Sequence, residues 1–304
     1  MFFLSDDERR MVLRKLLPES RRVEVHPELR GWNWSEAPVA PIYDVPLGLA
    51  EVAGRYCPTG RDVYLRRVAG VKVRSNVAME EGRLLHGIVA DQLLRAMRAI
   101  YSCSVDGALD ALESVPDGAA EAVPMDRVPE GAREELRRKI SALASFEHHR
   151  VVARVAEVLA RQPRVGSSGL VALALPVSVE VPLDGRLLGL SSHLSTDALS
   201  LFAPMVVDLK FGPRRDFHRL ATAGYAMVME SLHESPIDLG CVTYARVEGG
   251  RVSLERDIHL IDDELRQWFL EVRDETMRMV SEESDPGRGD DCPESCPYWR
   301  DCRA

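Results

Sequence analysis

Lysine is nearly absent from this chain. Of its 304 residues 39 are lysine or arginine, and the only lysines are Lys15, Lys72, Lys139 and Lys210. A lysine in a chemically loaded position therefore stands out. Long apolar runs are also missing: none approaches the roughly 18–20 residues of a membrane span. The opening "MFFLSDDERR" turns acidic at once and lacks the apolar core of a signal peptide. These absences predict a cytoplasmic protein with no membrane association. Thiols stay reduced in that compartment, so clustered cysteines point to metal before disulfides. A net charge of −9 excludes a general polycation but leaves room for local nucleic-acid contact. There is no internal repeat and no low-complexity tract. The length allows one large domain or two modest ones.

Patterning divides the chain into three regions. Residues 1–168 read as a mostly helical N-terminal region that opens mixed and Pro-rich. "PLGLAEVAGRY" is a helix-like run and "GRDVYLRRVAG" continues it. In "AMEEGRLLHGIVADQLLRAMRAIY" Leu85, Val89, Leu93 and Met97 recur at helical spacing. A looser stretch around Pro116 and Gly118 precedes "PEGAREELRRKISALASFEHHRVVARVAEVLARQ", one or two long helices. The signal changes near residue 169, and residues 169–284 hold the sheet. "LVALALPVSVEVPLDGRLLGLSS" predicts strands turning at Asp184-Gly185. "TDALSLFAPMVVDLKFG" predicts a second strand pair around Ala203-Pro204. A helix over "DFHRLATAGYAMVMESLH" follows, then a hairpin turning at Gly249-Gly250. The last helix begins near Asp262 or Asp263, either of which suits an N-cap. Residues 285–304 are a Cys-rich tail.

Within the second strand pair stand Asp197, Asp208 and Lys210. Strand residues two apart share a face, so Asp208 and Lys210 project together while Val207, Leu209 and Phe211 pack opposite. Asp197, one hairpin away, comes alongside. Two converging carboxylates suit Mg²⁺ or Mn²⁺, hard cations that prefer oxygen. A neighbouring lysine would orient an attacking water or stabilise a charged transition state. A surface ion pair on a half-exposed strand gives the same D-x10-D-x-K pattern.

The tail "DCPESCPYWRDCR" carries Cys292, Cys296 and Cys302, one ligand short of a four-thiolate site. Cys103 and Cys241 read as small buried hydrophobes. Cys57 differs, because proline follows it as proline follows Cys292 and Cys296. Proline fixes φ and stiffens the turn. Cys57, Cys292, Cys296 and Cys302 are thus four candidate thiolates, for zinc or for an iron–sulfur cluster.

Asp197, Asp208 and Lys210, in hairpin-hairpin-helix order, resemble the PD-(D/E)xK nuclease core in its RecB-like branch. "EGRLLHG" supplies the histidine that branch carries on an earlier helix, His86. One N-terminal and three C-terminal cysteines resemble its iron–sulfur subset, with C-x3-C-x5-C in the tail where two residues more commonly separate the first pair. "RGWNWSE", "AGRYCPTGRDVYLRRVAGV" and "EGRLLHG", with the opening segment and the length, resemble the archaeal CRISPR-associated Csa1 branch of the Cas4 family over nearly the whole chain.

The resemblance implies an α+β fold. A restriction-endonuclease-like core with a mixed sheet flanked by helices would join a helical N-terminal half and a C-terminal cysteine lobe. It implies Mn²⁺ or Mg²⁺ on His86, Asp197, Asp208 and the Leu209 carbonyl, with Lys210 on the water and Tyr225 in support. It implies an iron–sulfur cluster on the four cysteines, [4Fe–4S] rather than [2Fe–2S], with zinc as the chemical rival. The implied activity is exonuclease action on single-stranded DNA ends in CRISPR adaptation, beside the CRISPR integrase and other adaptation proteins. Such a strand would thread between the helical half and the sheet, contacted by Arg61, Tyr64, Arg66 and Arg67. The branch usually has glutamine four residues before Tyr225, where this chain has Ala221. His218 and Arg219, about one turn earlier, are candidate replacements. That departure favours a rival reading, a DNA-binding or scaffolding subunit with weak or no catalysis, which the intact set of Asp197, Asp208, Lys210 and His86 disfavours.

Overall fold

The computed structural model describes residues 1–303 apart from residues 74, 116–122, 202 and 291. Pro116 and Gly118 of the loose stretch lie outside the described residues. Among the described residues ten α-helical segments are α1 (Asp6–Met11), α2 (Leu17–Ser20), α3 (Leu49–Ala53), α4 (Arg61–Arg67), α5 (Val77–Tyr101), α6 (Ala108–Glu113), α7 (Glu130–Arg161), α8 (Ser167–Ala174), α9 (Arg219–His233) and α10 (Asp263–Ser281). Five strands among the described residues, β1 (Val177–Leu183), β2 (Leu194–Ser200), β3 (Met205–Lys210), β4 (Leu239–Glu248) and β5 (Arg251–Leu260), form one sheet in that order. β3 and β4 run parallel and the other neighbours antiparallel, so the sheet is mixed. The parallel pair requires a crossover, and α9 supplies it. The fold is α+β, with the sheet flanked by helices.

Two apolar cores lie on opposite faces of the sheet. One joins Val207 and Leu209 of β3 to α5, α7 and α8. The other joins Val206 to α3, α9 and α10. Helices on both faces explain why β3 is buried throughout its apolar residues rather than alternating. α5 follows the expected periodicity, with Leu85, Val89 and Leu93 buried. The run after Pro129 is a single helix of 32 residues.

Two expectations are corrected. Residues 167–174 form helix α8 and not a strand, because Leu170, Val171 and Ala174 present one helical face to the first core. The turn at Asp184-Gly185 does not close a tight hairpin either. Leu188 and Leu190 fill the second core, and Leu47 pairs with this loop through the Gly189 carbonyl and the Ser191 amide. β1 therefore meets β2 only after Ser192 and His193. Near the N-terminus, helix α1 opens the helical region. Ser5 and Glu8 form a reciprocal capping box that was readable as S-x-x-E.

Buried charge ties the layers together. Arg266 of α10 pairs with Glu230 of α9 at 2.8 Å, both side chains fully buried. Glu230 also accepts from Arg30 and from the amides of Gly31 and Ile237. Every strong donor and acceptor is thereby satisfied, which buried ions require. Gly31 lies so close to α9 that a Cβ there would stand 1.9 Å from the Met227 carbonyl oxygen.

Candidate active site and cysteine cluster

The register between β2 and β3 holds from Ser200 and Met205 to Ala198 and Val207, where it ends. Beyond that point the carboxylate of Asp197 takes over the role of the departing strand. Its Oδ2 accepts the Leu209 amide at 2.8 Å. A strand residue directs its N–H and C=O to the same edge, so the Leu209 carbonyl faces the same gap. His86 comes from α5 to place Nδ1 3.3 Å from the same Asp197 oxygen. Its ring is braced edge-to-face on Phe211, centroids 5.3 Å apart.

Asp208 is 5% exposed. Lys210 Nζ bonds its Oδ1 at 2.9 Å and lies 2.8 Å from Oδ2, off the line of a hydrogen bond. Oδ2 is buried with no hydrogen-bond partner, an orphaned acceptor of the kind that marks a site for a missing ion or water. Burial raises the pKa of Asp208, opposed by Lys210 and reinforced by the charge of Asp197. Burial pushes Asp197 the same way. There the His86 bond and charge, the Leu209 amide and Lys210 outweigh it and hold the carboxyl below its ordinary range. For Lys210, burial lowers the pKa, but the two aspartates prevail and raise it. Two carboxylates in one site thus sit in opposed environments.

Tyr225 of α9 donates to the Ser195 carbonyl at 2.5 Å, two residues before Asp197. Burial, then the charges of Asp197 and Asp208, raise its phenol pKa. Ala221, one turn earlier, is buried in the second core. His218 is 3% exposed, its Nε2 2.9 Å from the Tyr56 hydroxyl and its Nδ1 3.1 Å from that of Tyr244. Arg219 forks onto Asp257 of β5 at 2.8 and 2.7 Å. His218 and Arg219 are thus both engaged within the fold.

The arginines of α4 hold the chain together in the same way. Arg61 forks onto Asp285 at 2.9 and 2.8 Å and reaches the Cys302 carbonyl at 3.1 Å. Arg66 pairs with Glu51 at 2.6 Å, and Arg67 bonds the Pro46 carbonyl. Tyr64, on the same helix, is half-buried. Thr59 donates to the Gly287 carbonyl at 2.8 Å and Asn76 to the Ser295 carbonyl at 3.2 Å. These bonds bring the tail against Cys57. Burial raises the pKa of the Cys296 and Cys302 thiols, and the charges of Cys57 and Cys292 act on both. Cys57 and Cys292 thus lie within electrostatic reach of Cys296 and Cys302, a grouping that a bound cation would stabilise as thiolates.

Among the described residues, no three of His, Cys, Asp and Glu are gathered into a ready metal-binding group as they stand. At the strand site, Lys210 and His86 each lie against one of the aspartates. The donor chemistry nonetheless fits. Imidazole, two carboxylates and a backbone carbonyl suit a hard divalent cation, and four thiols suit zinc or iron. A cavity of about 330 Å³ adjoins the site, lined by Glu81, Lys139, Phe211, Arg246 and Glu248. No described helix is long and apolar enough to cross a membrane.

Comparison with known proteins decides the family. The family described as CRISPR-associated exonuclease Csa1 matches residues 1–304. The chain belongs to that family. It is 34% identical to the CRISPR-associated exonuclease Csa1 of Thermoproteus tenax over 293 residues, covering 96% of this chain and 97% of the relative. It is 33% identical to the Csa1 protein of Saccharolobus solfataricus over 307 residues, with 99% of each covered.

Three residues around the site escaped sequence reading in this Csa1 family member. Tyr244 is the β4 partner of Lys210. Tyr56 precedes Cys57, and an aromatic directly before Cys-Pro was its only signal. Glu180 holds φ +50 in β1, between residues whose partners flank Asp197. It accepts from Ser195 at 3.3 Å. A left-handed glutamate inside a strand is strained, and such strain gathers at functional sites.

Proposed function

We propose that this chain is a divalent-metal-dependent DNA exonuclease acting on single-stranded ends. The orphaned, buried Oδ2 of Asp208, beside Asp197 and His86, is the observation that carries the reading. His86, Asp197, Asp208 and the Leu209 carbonyl would hold Mn²⁺ or Mg²⁺. When bound, such an ion supplies Lewis acidity and lowers the pKa of water. In the reaction, a water oxygen bonds to phosphorus, the bond to the leaving sugar oxygen breaks, and that oxygen takes a proton. Lys210 orients the water and donates to the negative charge that builds on the phosphoryl oxygens. Tyr225 fixes β2 through Ser195 and so keeps Asp197 in register. The cavity beside Phe211, with Lys139 and Arg246 in its wall, offers the strand a path.

Cys57, Cys292, Cys296 and Cys302 hold an iron–sulfur cluster in this reading. The family's CRISPR association supports a role in adaptation, trimming or selecting captured DNA before a CRISPR integrase inserts it. A nuclease assay in Mn²⁺ on single-stranded DNA tests the site. Wild type should release nucleotides, and Asp208→Ala and Lys210→Ala should not. Activity that survives both changes refutes the assignment, and inactive wild type favours the scaffolding reading. Metal analysis with the visible spectrum tests the cluster. Iron and a band near ~400 nm are expected of thiolate-bound iron–sulfur, whereas colourless protein carrying zinc contradicts it.

A further inference from the structure

Tyr56 is 68% exposed, the second most exposed of the large hydrophobic side chains among the described residues. Its ring is nonetheless held at several points. The backbone amide of Tyr56 bonds the Gly54 carbonyl at 2.8 Å, and the next residue but one is Pro58. The ring meets Phe217 edge-to-face, centroids 5.0 Å apart at 83°, and the tilted His218 ring at 5.9 Å, while most of the residue stays open to solvent.

The hydroxyl is fixed by a directed chain of hydrogen bonds. Tyr244 lies 3.5 Å from the Arg215 carbonyl, which can only accept, so Tyr244 donates there. Its oxygen then accepts from His218 Nδ1–H, which leaves Nε2 to accept from Tyr56. Every polar atom of the buried histidine is satisfied by this one orientation. The chain starts beside the catalytic strand, because Tyr244 is the parallel partner of Lys210. The Lys210 and Asp208 charges reach the Tyr56 hydroxyl.

A solvent-facing ring immobilised by buried groups has little to do for stability. Single-stranded nucleic acid needs such a ring: stacking accepts any base, and a preset ring loses little entropy on binding. We infer that Tyr56 is the stacking platform for the nucleobase next to the scissile phosphate. His218 and Tyr244 act as positioning residues that aim it. The inference rests on the nuclease reading and adds the substrate contact which that reading leaves open.

The test uses full-length protein and short single-stranded oligonucleotides with 2-aminopurine at the 5′ or the 3′ end, bound without added divalent cation. A matched pair has an abasic site at the same position. Wild type should quench 2-aminopurine at one end. Tyr56→Leu should lose the quenching and bind that oligonucleotide about tenfold or more weakly, with no further loss on the abasic version. Tyr56→Phe should keep part of the quenching, since it keeps the ring but loses the bond to His218 that aims it. Unchanged absorbance and circular dichroism show that the variants are folded. Quenching that survives in Tyr56→Leu, or equal weakening on normal and abasic strands, overturns the inference. Hydrolysis by wild type in Mn²⁺ is recorded on the same strands. Its absence defeats the nuclease reading itself, while its presence with unaltered Tyr56→Leu binding defeats only the platform.

Discussion

Asp208 and Lys210 show how two residues acquire an environment from their place in a strand. On an exposed strand this ion pair would be worth little. On the central strand of a covered sheet, the aspartate is almost fully buried and one of its oxygens is left without a hydrogen-bond partner. Removing the Lys210 ammonium should cost about 10²- to 10³-fold in turnover, as loss of a preset charge donor does, with smaller change in DNA binding. Single-turnover kinetics would separate the two. His218 and His259 are a different class of buried residue. Burial is the main cause that lowers both pKa values to about 4. A folded-state value below the ordinary 6.5 means that the unfolded chain takes up protons first as pH falls. Their neutral forms therefore cost nothing above about pH 6.5. Stability should decline from there toward pH 4, by up to about 1.4 kcal/mol per pH unit for each histidine. Urea unfolding at several pH values measures this, and His259→Gln should flatten the slope.

At the scale of elements, the site depends on where β2 leaves β3. Asp197 reaches Leu209 because the ladder stops one residue earlier. The strand pair and the shared face of Asp208 and Lys210 were legible from alternation and from the scarcity of lysine. The length of the ladder was not, since register is a property of two strands together. α8 was misread because a short apolar run has no period that distinguishes helix from strand. The loop at Asp184-Gly185 was misread because Leu188 and Leu190 find a core that only the folded chain supplies. The arginines of α4 looked free for DNA, while their partners Glu51 and Asp285 were indistinguishable from other surface acids. Helices α9 and α10 pack through the Glu230–Arg266 pair, with Gly31 pressed against α9. Arg266→Ala should destabilise the protein by about 3–5 kcal/mol, because Glu230 is left buried and charged. Gly31→Ala should lower the denaturation midpoint as well, since its methyl meets backbone that cannot yield.

Across the whole molecule, the tail folds back on the segment around Cys57. The tail meets the segment of Tyr56 and Cys57 through Arg61, Thr59 and Asn76. Closing a loop of more than two hundred residues with thiolate–metal bonds removes unfolded-state entropy and adds bond energy. Cys57→Ala should therefore discharge any metal held there and free the tail, read as faster limited proteolysis after Ser281 than in wild type. The tail would then act as a clasp beside the nuclease site, with catalysis left to the strand. The most direct measurement is the initial rate of nucleotide release from single-stranded DNA across a Mn²⁺ titration, for wild type and for Asp208→Asn. A wild-type rate that rises and saturates with Mn²⁺, against a loss of about 10² or more in the isosteric variant, is the expected result. Equal rates for the two proteins would contradict the placement of the active site on β3.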